Sequence, residues 1–319
     1  MKKGMKVARG FLYAVALWGV AVILISYFPS VYYKDKGAAD IIDVHGNNLE
    51  NLLTKLEEHR SPYPYGGAVH GVLDWEDDNN FLKACRRCET RLRMAAFQIT
   101  LLDILPEEKY NMVLAADLLS GIVVEPGEHF SFNGAIGPYS KERGFKEGPI
   151  YSGNSVMMAA GGGVCKVATT LYNVAVLANL DILERHPHSM LVPYVFPGQD
   201  ATVAYGSLDF SFKNGTDYPL LIWTGTKANT LTVAIYGRSH PPKVAWHHEL
   251  LSWQKKHTVY RHNPNLSPGE ERVVVPGAGS VTVKVWLTIE NIDGSSFTKD
   301  LGIIYYNPMP KIIEKVFEG

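Results

Sequence analysis

Cys165 follows three consecutive glycines, Gly161 to Gly163, and opens a helical pattern that runs through Thr169, Thr170 and Asn173 to about Leu180. A thiol in that place suits nucleophilic catalysis. Glycines let the backbone take up conformations closed to other residues and approach a ligand closely, while a helix N-terminus offers unpaired N–H groups and about half a positive charge. Both favour thiolate over thiol. A nucleophile also needs a base or cationic partner and donors for a developing oxyanion. Arg185-His186-Pro187-His188-Ser189 supplies two histidines. If that segment is extended, both point to one face, and His188, nearer the strand proper, is the preferred partner. Asp200, in Gly198-Gln199-Asp200-Ala201-Thr202, is of a type to orient an imidazole or stabilise its charged form. The same residues allow plainer readings: a cysteine packed at a helix start, surface histidines, a zinc site from Cys165 and the two histidines, or an aspartate satisfying backbone N–H groups after a turn.

The Cys165 helix carries an apolar stripe of Val164, Ala168, Leu171, Ala175 and Ala178. Upstream, periodicity predicts a helix from about Asn80 to Leu105, ending before Pro106, and a second from Glu107 to Leu119 with Met112, Ala115, Ala116 and Leu119 on one face. The acidic run Asp74 to Asn80 reads as the first helix's cap rather than a cation site. Cys85 and Cys88 fall on that helix as two buried thiols, with a local disulfide or redox pair and half of a metal site as the other readings. From Gly121 the period becomes that of strands: Val123-Val124 and His129 to Phe132 around a Pro126-Gly127 turn, then Leu191 to Val195, Ala201 to Tyr205, Asp209 to Lys213, Pro219 to Trp223 and Leu231 to Tyr236. Asn214-Gly215 is expected to join two of these as a tight turn. Pro241-Pro242 marks a boundary, and Arg272 to Val275 and Ser280 to Ile289 read as strands of a small β module.

The fold class expected is α+β: a mixed helix and antiparallel-sheet extracytoplasmic domain, an N-terminal transmembrane helix and a small C-terminal β module. Of 319 residues 46% are hydrophobic, so the chain is globular rather than disordered. Net charge is −1, and with Lys2, Lys3, Lys6 and Arg9 set aside the remainder carries 27 basic against 32 acidic residues, which excludes a nucleic-acid binder. Phe11 to Phe28 is 18 residues without a charge. At about 1.5 Å per residue it covers roughly 27 Å, enough to cross a bilayer. The four preceding basic residues keep the N-terminus cytoplasmic, and no small-x-small cleavage site comes after the span, so an uncleaved single-pass anchor is preferred to a signal peptide. The organisation expected is a cytoplasmic basic segment over 1–10, the transmembrane helix over 11–28, a stalk over 29–79, a helical lead-in and main mixed domain over 80–238, and the β module over 245–319. With an odd number of cysteines, one thiol is left over outside the cell.

Phe130-Ser131-Phe132-Asn133, Gly137-Pro138, Gly144-Phe145-Lys146-Glu147, Gly161 to Cys165, Thr169 to Asn173, Glu184-Arg185, His188-Ser189 and Asp200 to Val203 together resemble the VanW family, in family order over about residues 94–225. The resemblance implies an extracytoplasmic protein of a Gram-positive cell membrane that works on peptidoglycan stem peptides. It further implies a transpeptidase forming 3-3 (L,D-type) cross-links through an acyl-enzyme on Cys165, with no metal and no cofactor. Carried over, the catalytic group is Cys165, His188, Asp200 and Arg185, and the substrate or oxyanion group is Gly162, Gly163, Lys166, Thr169, Thr170 and His186. The tail from His257 to Phe317 resembles, more weakly, a wall-binding module. Lys166 and Ala168 depart from the family pattern, where glutamine and serine are usual. The rival readings are a non-catalytic peptidoglycan-binding or accessory factor and a papain-like cell-wall peptidase or amidase.

Overall fold

The computed structural model describes residues 66–317 apart from 102–103 and 153–154. The basic segment, the 11–28 span and most of the stalk lie outside the described residues; within them no helix is long and apolar enough to cross a membrane.

The first helix, α1 (Asn79–Cys88), begins at Asp78, whose carboxylate accepts the N–H groups of Asn80 at 2.7 Å and Phe81 at 3.1 Å. This is the capping role expected of the acidic run. The helix stops sooner than its periodicity suggests, because Glu89 turns left-handed at φ 54°. Residues 92–100, expected to continue the helix, form a strand instead. The misreading has a physical cause. Ala96 packs with Phe81 and Cys85 of α1 on one face of this strand, whereas Phe97 and Ile99 pack with Met112 and Ala115 on another. A strand covered on both faces loses its alternation, and its apolar spacing imitates a helix.

With β1 as Gly67–Ala68 and β2 as Leu92–Thr100, the chain continues through α2 (Pro106–Leu119) and β3 (Val123–Val124). These strands, with β9 (Leu220–Lys227) and β10 (Thr230–Gly237), form an antiparallel sheet in the order β1-β2-β10-β9-β3. Between β3 and β9 come β4 (His129–Ser131), a short α3 (Phe132–Ile136) and the hairpin β5 (Glu147–Ser152) and β6 (Ser155–Ala160). After the hairpin come α4 (Val164–Leu177), β7 (Asp181–Glu184) and β8 (Ser211–Lys213). Helix α4 is buried on nearly every side, between the large sheet, α2 and a strand of the C-terminal part, β11 (Lys243–Gln254). Strands β4, β8 and β7 make a second small sheet, with Phe130 stacked on Phe212 at 5.0 Å.

Two expected strands are absent. Residues 191–200 run as turns, and Thr202 and Ala204 make only isolated bridges, to His186 and Leu208. Backbone groups of 198–201 and 203 are bonded by side chains of the site instead of by a ladder. Asn214-Gly215 does turn the chain, but the strands it separates, β8 and β9, belong to different sheets. The Asn214 side chain is buried and donates to Val124 O and Tyr218 O.

In the C-terminal part β11, which the sequence pattern did not reveal, precedes β12 (Thr258–His262), β13 (Glu271–Val275), β14 (Ser280–Glu290), β15 (Ser296–Tyr306) and β16 (Lys311–Lys315). They form two three-stranded sheets, β11-β14-β15 and β12-β16-β13. Alternate residues of β14, from Val281 to Ile289, are all buried. The first three join Ile304 and Tyr306 in a core of their own, while Leu287 and Ile289 enter the core around α4. Among the described residues the protein is thus β-rich with few helices, a coarser description than the α+β expectation.

Candidate active site

The three glycines before Cys165 are each required for a different reason. Gly161 and Gly163 sit at φ 86° and 109°, the left-handed region. Gly162 passes so close to Gly148 of β5 that a methyl group on it would lie 2.3 Å from the Gly148 carbonyl carbon. Asn111, fully buried on α2, locks this crossing by donating to Gly162 O at 2.9 Å and Lys146 O at 2.8 Å, and its Oδ1 accepts the Lys146 N–H at 2.8 Å. One amide therefore ties the turn, the hairpin and a helix together.

Cys165 stands in the first turn of α4, half-buried. Its sulfur lies between the Val203 carbonyl at 3.4 Å and the Val203 N–H at 3.5 Å, and the imidazole of His188 is near enough to act on its charge. His188 Nδ1 meets Asp200 Oδ2 at 2.8 Å, which leaves Nε2 for the thiol. Asp200 is held from three directions. The backbone N–H of His188 donates to Oδ2 at 2.6 Å, and Arg185 donates through Nη2 to Oδ1 at 3.0 Å and through Nε to the Asp200 carbonyl at 2.7 Å. The Tyr306 hydroxyl donates to Oδ1 at 2.5 Å. Arg185 also lies over the Tyr172 ring, 5.2 Å from its centre. The four residues given catalytic places from the sequence are thus brought together.

Charge flows down this chain in one direction. Burial favours a neutral Asp200, but its bonds to His188 and the charges of His188 and Arg185 prevail and hold it down at about 2. Burial likewise favours neutral His188, yet the bonds to Asp200 and Cys165 raise it to about 9. For Cys165, burial pushes the thiol up, and the bond and charge of His188, the Val203 N–H and the Lys166 ammonium outweigh it and lower the thiol. A thiol lowered and an imidazole raised are shifted in the directions that favour a thiolate–imidazolium pair.

The substrate and oxyanion group divides. Val164 N–H and Lys166 N–H are taken by turn bonds to Gly161 O at 3.0 Å and Gly163 O at 3.1 Å, and Gly162 N–H points to Ala159 O at 3.4 Å. The N–H groups of Gly163 and Cys165, the latter next to the sulfur, are not taken by those bonds. Lys166 is ion-paired with Glu108 of α2, with its ammonium 5.5 Å from the centre of the Tyr194 ring. Thr169 and Thr170 are wholly buried. Thr169 exchanges hydrogen bonds with the Ala201 backbone and Thr170 donates to Lys166 O, so both hydroxyls brace the fold and neither faces a ligand. His186 parts from His188: it pairs with Glu184 at 2.9 Å, half-exposed, instead of sharing a face with its neighbour. The Asp200 side chain captures the His188 N–H, and His188 is buried where His186 is not.

Sequence reasoning missed Glu108, Asn111, Tyr139 and Tyr306. Tyr139, driven above its usual range by burial and then by the nearby Cys165 and Asp209 charges, donates to Asn133 Oδ1 at 2.7 Å and lines the cysteine's other side. Its place directly after the Gly137-Pro138 motif was the available signal. Cys85 is buried and Cys88 half-buried, both free thiols. Among the described residues no cluster of three or more His, Cys, Asp or Glu side chains is placed to hold a metal ion.

Residues 107–236 match the family model described as VanW like protein. The chain is 38% identical over 127 residues to the "Uncharacterized protein YoaR" of Bacillus subtilis (strain 168), covering 40% of this chain and 42% of that protein. It is 29% identical over 140 residues to the "Vancomycin B-type resistance protein VanW" of Enterococcus faecalis (strain ATCC 700802 / V583), covering 41% and 50%. The chain spans about half the length of the curated relatives it matches. Among solved structures it is similar to "IgA1 Protease G5 domain structure", at 18% identity and TM-score 0.16 over 25% of this chain and 96% of that one. It is also similar to "Crystal structure of HP0197-G5", at 20% identity and TM-score 0.14 over 23% and 92%. Cys165, Arg185, His188 and Asp200 all fall within the VanW-like segment.

Proposed function

We propose that the VanW-like domain of this chain is a cysteine acyltransferase of the cell wall, a transpeptidase forming 3-3 cross-links between peptidoglycan stem peptides. In this reading the chain is held at the membrane by the apolar span 11–28, with its folded part outside. The observation that carries the reading is the chain Arg185–Asp200–His188–Cys165, which ends in a thiol at a helix N-terminus. A thiolate there attacks the carbonyl carbon after the third stem residue, and the electron pair of the broken C–N bond leaves with the terminal D-alanine. His188 Nε2 gives that amine its proton. The resulting thioester then reacts with an amine of a neighbouring stem, whose proton returns to His188 as the sulfur leaves. In this reading the Cys165 N–H donates to the oxyanion in both steps. Asp200 keeps the imidazole in one tautomer and balances its charge throughout.

Support for a wall setting comes from the resemblance to VanW-like proteins, including the vancomycin-resistance protein of that name. The test is incubation of the full-length chain in detergent with tetrapeptide-bearing muropeptides, read by mass spectrometry. Cross-linked dimers that vanish in Cys165→Ala are expected. Shortened monomers alone would assign the thioester to water and make the domain a peptidase; no product and no adduct on Cys165 would remove the enzyme reading.

A further inference from the structure

Asp200 carries a third partner residue that lies outside the VanW-like segment. Tyr306 ends β15 in the C-terminal part, 106 positions away, with its side chain wholly buried. Its hydroxyl donates to Asp200 Oδ1 at 2.5 Å and accepts the Gly198 N–H at 2.6 Å, so one atom fixes both the carboxylate and the turn before it. The surrounding contacts repeat the same docking. Asn307 donates from its backbone at 2.7 Å and its side chain at 2.9 Å to Ser189 O, next to His188. Gly198 at φ 95° lies so close to β14 that an added methyl group would meet Val285 Cγ2 at 2.5 Å. The loop that holds His188 and Asp200 is therefore seated on the β14–β15 surface.

We infer that Tyr306 is a positioning residue for the Asp200–His188 pair, and that the C-terminal β module is a working part of the catalytic unit rather than an appended binding module. The inference rests on the reading of Cys165 as an activated nucleophile. The reason is geometric. Asp200 Oδ1 is shared by Arg185, which belongs to the same loop, and by Tyr306, which does not. Arg185 moves with the loop; Tyr306 ties the carboxylate to a separate sheet. Without that tie Asp200 is free to turn toward the guanidinium and away from His188 Nδ1, and the imidazolium that holds the thiolate loses its counter-charge.

The test is the pH profile of iodoacetamide labelling at Cys165 in the full-length chain, alongside thermal melting. The charged and titratable groups that face the measured pair are Arg185, Asp200 and Tyr306, Tyr172 from α4, and Lys166 and Tyr139 beside the sulfur. Tyr306→Phe keeps the packing and removes the hydroxyl. It is expected to move the acid limb of labelling upward, toward that of an ordinary thiol, with at least a tenfold loss of rate at pH 6. Val281→Ala, in the same C-terminal core and without a polar tie to Asp200, is expected to lower the melting temperature and leave the limb in place. A Tyr306→Phe protein that melts lower with an unmoved limb would overturn the inference. If Tyr306→Phe fails to fold, Gly198→Ala presses the same loop off the same sheet, and an unmoved limb there overturns it equally. A wild-type limb already at an ordinary thiol value would remove the nucleophile reading itself, and this inference with it.

Discussion

Two buried carboxylates in this molecule are held down to the same degree for different ends. Asp200 and Glu314 both sit at about 2, each gripped by arginine. Glu314 joins the strands of the C-terminal sheet: Asn263 at 2.8 Å, Arg261 Nε at 3.0 Å and Arg272 Nε at 3.2 Å converge on it, and both arginines are more than half exposed. It is a clasp, and its chain of contacts stops at the surface. Around Asp200 the partners are themselves buried, and one of them, His188, has a second nitrogen that reaches a sulfur. A depressed carboxylate marks a charge network in either case. What separates a site from a clasp is whether the network ends on a group able to react.

Substitutions that separate these two roles sharpen the contrast. Asp200→Asn is the severest, because the amide cannot balance an imidazolium: Cys165 labelling at pH 6 is expected to fall about a thousandfold or more, by analogy with loss of the acid in other triads, as read by stopped-flow alkylation. Arg185→Met strands a buried charge whose remaining counter-ion is His188, and a loss of about 3–5 kcal/mol in urea denaturation is expected. The pH dependence carries two signs. Asp200, depressed, stabilises the fold above the ordinary carboxylate range near 4, and that contribution is lost as pH falls toward about 2. His188, raised, stabilises it fully below about 6.5, and loses this as pH rises through about 9. Melting temperature measured from pH 3 to 10 should fall at both ends, and Cys165→Ala should soften the alkaline fall, since one of the two bonds raising His188 is then gone. Glu314→Gln should lower the melting temperature by a few degrees with labelling unchanged, the signature of a clasp. His186→Gln, on the outer face with Glu184, should change labelling less than about twofold; a tenfold loss would return that histidine to the site.

How far the sequence reaches obeys the same division between local and distant. The glycine turn, the helix start and Cys165 are contiguous, so their chemistry was legible from residue type and spacing. Choosing His188 over His186 was also legible, although by proximity to a strand that does not form; the actual cause is the Asp200 carboxylate catching the His188 N–H. The reading of β2 as helix failed because a strand covered by α1 on one face and by α2 and α4 on the other has no polar face to alternate with. Thr169 and Thr170 looked like ligand-binding hydroxyls because a buried hydroxyl bonded to backbone and one facing a substrate have the same signature in a chain of letters. Tyr306 was out of reach altogether. Nothing near residue 306 signals a partner 106 positions earlier; only the docked sheet brings them together.

That separation also sets an order of assembly during synthesis. When residue 200 has left the ribosome, the thiol, the imidazole and the carboxylate all exist, and the strand that anchors the carboxylate does not. Contacts so distant in sequence close late, after the local turns and helices have formed. The nascent chain therefore carries its thiol, imidazole and carboxylate through the synthesis of a further 106 residues before the polar tie that steadies the carboxylate can be made.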